Sequence, residues 1–96
     1  MNQFFEALGQ DWVEAAERRG AGIAKPRLDS QVALELLELA RVAAHTQERR
    51  FAPLTCYLAG IAAERLRAAK PDVDEAGLAE LIQEVRQKLE REIPGL

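Results

Sequence analysis

The residues best suited to chemistry in this 96-residue chain lie within one short segment. The only histidine, His45, comes first, Arg49 and Arg50 follow, and Thr55 and the only cysteine, Cys56, end the segment. Guanidinium groups carry several N–H donors in a geometry that suits phosphate and carboxylate. The start of a helix adds unpaired backbone N–H groups and a partial positive charge. The segment therefore predicts an anion-binding site formed by His45, Arg49, Arg50 and Thr55.

Pro53 predicts where the helix of this site begins, because proline is favoured at the first helical position. The amides of Leu54, Thr55 and Cys56 would then be free to bind a ligand. Glu48 offers the alternative interpretation. The residue before Pro53 is an alanine with no capping side chain, so the Glu48 carboxylate can cap the same amides and would repel an anion. A ligand site and a purely structural segment both remain open at this point.

Catalysis and metal binding have little support in the sequence. A helix N-terminus lowers the pKa of a thiol, so Cys56 with His45 could form a nucleophile and its base. The neighbours of Cys56 are apolar, however, and a buried free cysteine is the commoner case. One histidine and one cysteine are also too few for a metal site. We therefore predict no catalytic residue, no metal, no cofactor and no enzymatic activity.

The composition excludes several classes of protein. A net charge of -3 argues against a nucleic-acid-binding protein, which is usually basic. A single cysteine cannot form an intramolecular disulfide. The uncharged run over residues 51–63 is too short to span a bilayer, and the first residues do not resemble a signal peptide. We expect a cytoplasmic protein with no nucleic-acid or membrane partner.

Four helices, at about residues 2–19, 30–44, 53–69 and 74–93, must position these side chains, since apolar residues recur with helical spacing throughout. They predict an all-α, single-domain four-helix bundle over residues 1–96. The third helix carries no charge from 54 to 63, a pattern typical of a helix enclosed on all sides, so we place it at the centre. The expected core stripes of the first and fourth helices are Phe4, Phe5, Leu8, Trp12, Ala15 and Ala16, and Leu78, Leu81, Ile82, Val85, Leu89 and Ile93.

The stretch from Val42 to Gly60, VAAHTQERRFAPLTCYLAG, resembles a small helical domain family of unknown function found in actinobacteria. That family occurs alone or fused to the molybdenum cofactor guanylyltransferase, which makes molybdopterin guanine dinucleotide. The resemblance covers a Val-Ala-His helix end, Glu-Arg, Ala-Pro-Leu-Thr and an aromatic-Leu-Ala-Gly run. It implies an association with cofactor biosynthesis and supplies no catalytic residues.

Two functions follow from these observations. The first is a non-enzymatic helical accessory module of molybdenum-cofactor biosynthesis, which holds a phosphate-bearing ligand or docks on a partner enzyme of that pathway. The alternative is a homodimeric protein-interaction adaptor with no small-molecule ligand. Leu34 and Val42 project from the polar side of the second helix, where they either meet the linker around Ile23 or form part of a contact surface, and we expect Leu34 or Val42 to contribute to a homodimer contact.

Overall fold

The computed structural model of this chain describes residues 2–92. They form four helices: α1 (Gln3–Arg18), α2 (Ser30–Thr46), α3 (Phe51–Ala69) and α4 (Glu75–Glu92). No strand occurs in this range. The predicted all-α fold with four helices is confirmed. Ile93 of the predicted fourth stripe lies outside the described residues.

Two compact units divide the chain, Met1–Ser30 and Gln31–Leu96, and the single domain over residues 1–96 stays a prediction. In the first unit, the Asn2 side chain caps α1 by accepting a hydrogen bond from Phe5 N at 3.2 Å. The helix ends at Arg18, and Gly20, two residues later, has a φ of +82° that is easily adopted only by a residue without a Cβ. The N–H of Ala21 then donates to the Ala16 carbonyl at 3.0 Å, which satisfies a carbonyl of the last turn.

The segment after α1 folds back along that helix. A Cβ at Gly9 would lie 2.7 Å from the Pro26 carbonyl oxygen, so only glycine fits there. Lys25 Nζ lies 2.9 Å from the Glu6 carboxylate, and this hydrogen bond lowers the pKa of Glu6. Phe4, Phe5 and Trp12 are nevertheless exposed, so their predicted place in the core is wrong.

The core of the second unit is formed mainly by α2 and α4, and α3 packs closely against α4. The buried hydrophobic residues described there are Leu39, Val42 and Ala43 on α2, Ala63 on α3, and Leu78, Ala79 and Ile82 on α4. Because α3 contributes one small side chain, the prediction of a central third helix is wrong. Helix α3 meets α2 where the Cys56 thiol reaches the Leu36 carbonyl, and it meets α4 where Arg67 pairs with Glu75.

Ion pairs join α2 to α4 beside this core. Arg86 of α4 donates to Glu35 of α2 at 3.1 Å and to Glu90 at 2.9 Å. The Glu90 hydrogen bond is the main cause of the raised pKa of the Arg86 guanidinium, and Glu35 adds to it. Since α4 covers this side of α2, Val42 is 2% exposed, and its predicted contribution to a dimer contact is wrong. Leu34 is exposed as predicted.

Candidate functional site

The turn between α2 and α3 closes by backbone hydrogen bonds. Phe51 N donates to the Glu48 carbonyl at 2.9 Å, and Ala52 N donates to the Arg49 carbonyl at 3.1 Å. Helix α3 therefore begins at Phe51, two residues before the predicted start at Pro53. Arg50 occupies the N-cap position and provides no side-chain cap.

This earlier start changes which amides belong to the first turn. Pro53 is the third helical residue and has no N–H, while the N–H groups of the first two helical residues already donate to loop carbonyls. The amides of Leu54, Thr55 and Cys56 come after the first turn, where helical amides have partners within their own helix. An anion at this place would therefore have to be bound by side chains and not by backbone amides.

The structure brings two of the predicted site residues together. Arg50 Nε lies 2.7 Å from a carboxylate oxygen of Glu48, and the Arg50 guanidinium stands 5.9 Å from the centre of the Phe51 ring. Glu48 thus pairs with an arginine instead of capping amides. Arg49 is exposed and Thr55 is half-buried. An anion that bound Arg50 would compete with Glu48, and the predicted site stays a prediction.

His45 lies in a different environment, on the α4 side of α2. It is exposed and lines a groove of about 350 Å³ with Arg41, Val42, Thr46 and Glu90. Arg41 in this groove pairs with Glu38 at 2.9 Å and approaches Glu90 at 3.8 Å. The positive charge of Arg41 in this groove is therefore already balanced by two carboxylates.

The sequence analysis did not predict the ion pairs of Arg86 with Glu35 and of Arg41 with Glu90. The signal was the spacing of Arg86 and Glu90, which lie four positions apart and so share one helix face. Their partners Glu35 and Arg41 are on α2, and no local pattern marks which face of α2 meets α4.

Cys56 is half-buried and has the character of a structural thiol. Its Sγ donates to the Leu36 carbonyl at 3.6 Å, and burial raises the pKa of the thiol. A raised pKa keeps the thiol protonated at neutral pH, whereas a nucleophilic cysteine needs a lowered one. Among residues 2–92, no group of three or more potential His, Cys, Asp or Glu ligands is placed to hold a metal ion.

The outer side of α3 presents an exposed apolar surface in the second unit, as Leu34 and Leu37 do on α2. Leu54, Tyr57 and Leu58 are 62%, 70% and 66% exposed, and Ile61 beside them is half-buried. We call these four residues the α3 stripe. Their spacing of i, i+3, i+4 and i+7 places them on one face of the helix. The sequence marked this stretch as apolar but predicted that the chain itself would enclose it.

Comparison with known protein families shows which family this chain belongs to. Residues 6–93 match a domain of unknown function, DUF6457. The chain belongs to this family. Searches of curated proteins and of solved structures each gave no match.

The DUF6457 match extends from α1 into α4, so it includes both the turn at residues 47–50 and the α3 stripe. It confirms that the resemblance is to a family of unknown function, and it assigns no role to either feature. Within residues 2–92, the helices are all too short or too polar to cross a membrane.

Proposed function

We propose that this DUF6457 domain is a non-enzymatic helical module that binds protein through the α3 stripe. The observation that carries this proposal is the exposure of Leu54, Tyr57 and Leu58 on an uncharged face. Apolar surface gains about 25 cal/mol for each Å² removed from water, so such a face is stabilised when it is covered. Helix faces with this spacing are common anchors in helix-mediated recognition.

The contacts of His45 and Cys56 support a non-catalytic role. His45 lines the groove with Arg41 and Glu90, whereas Cys56 lies against the Leu36 carbonyl. A thiol whose pKa is raised by burial is a poor nucleophile at neutral pH. Neither residue has the activated environment that covalent catalysis needs.

A photo-crosslinking residue at position 58 tests the protein-binding role directly. We would replace Leu58 by p-benzoylphenylalanine in the full-length chain, irradiate the producing cells and weigh the adducts. We expect adducts heavier than the single chain. The matched control carries the same residue at Leu34, which is equally exposed but lies on α2. If position 58 gives no adduct, the α3 stripe is not a protein contact and the proposal fails.

We further propose that the module serves molybdenum-cofactor biosynthesis, with an enzyme of that pathway as partner. The support is the residue pattern from Val42 to Gly60, which resembles domains fused to the molybdenum cofactor guanylyltransferase. The test is a titration of the purified chain with such a guanylyltransferase in a calorimeter. We expect saturable binding. Absence of heat and of co-elution at the highest attainable concentrations would contradict this assignment.

The second candidate function is a homodimeric adaptor with no small-molecule ligand. The specific observation in its favour is that apolar residues of the α3 stripe are spaced evenly about a midpoint, with charged residues at both ends. A surface of this kind can pair with a copy of itself.

A further inference from the structure

We draw no further inference here: the strongest candidate, the exposed apolar surface that the α3 stripe forms on the outer side of the third helix, carries nothing beyond the proposed function because nothing in the structure shows what covers it.

Discussion

At the scale of single residues, the local environment of Cys56 determines its reactivity. Its thiol donates to the Leu36 carbonyl, and burial raises its pKa. Because only the thiolate reacts, we expect iodoacetamide to alkylate Cys56 at least about tenfold more slowly than free cysteine at pH 7.5. The rate should keep rising with pH after that of free cysteine has levelled off. Mass spectrometry of timed samples measures both, and the chain unfolded in urea is the control. Alkylation faster than free cysteine at pH 7 would contradict the raised pKa.

The predicted anion site also belongs to this scale. If Arg49 and Arg50 hold phosphate, calorimetry should detect binding of phosphate or a guanine nucleotide, and Arg49→Ala with Arg50→Ala should abolish it. The unfolding midpoint should change little, because an exposed pair such as Arg50–Glu48 contributes only about 0–1 kcal/mol. A large loss of stability without loss of binding would assign the arginines a structural role. A wild-type chain that binds neither ligand at millimolar concentration would reject the site.

At the scale of helices, the sequence predicted the four elements and the uncharged character of residues 54–63. It wrongly predicted that the other helices enclose α3, because periodicity shows that a face is apolar and not which surface covers it. The start of α3 was placed two residues late because proline is tolerated throughout the first turn. The observed start is defined by hydrogen bonds from the amides of Phe51 and Ala52 to loop carbonyls. These are backbone contacts, and no side chain in the sequence indicates them.

The position of Val42 has a related explanation. The pattern of α2 alone assigned it to the polar side, near Glu38 and Arg41. Arg86 and Glu90 of α4 pair with Glu35 and Arg41 on that side, so polar residues there form the rim of a helix contact. Charged side chains therefore mark an interface between helices here, while Val42 fills its interior.

Gly60 provides a prediction for α3 as a helix. Alanine at this position adds a methyl group in open space and removes the cost of a helical glycine. Gly60→Ala should therefore raise the free energy of unfolding of the dilute monomer by about 0.5–1 kcal/mol. Urea unfolding at low protein concentration measures this change. Destabilisation of the dilute monomer would show that the chain itself covers Gly60.

At the scale of the whole molecule, stability should depend on the α2–α4 core far more than on the outer side of α3. Ile82 is buried, and Ile82→Ala should cost about 2–5 kcal/mol of unfolding free energy, a large fraction of the stability of a small protein. Leu58→Ala removes a side chain of similar size that is already mostly exposed, so its cost in dilute solution should stay below about 1 kcal/mol. Urea titrations over a range of protein concentrations measure both variants.

The cost of Leu58→Ala should grow with concentration, because a partner that binds only the folded chain adds stability by mass action. Equal costs for the two variants at the lowest concentration would mean that a single chain covers the α3 stripe, and that no second copy is needed to bury it.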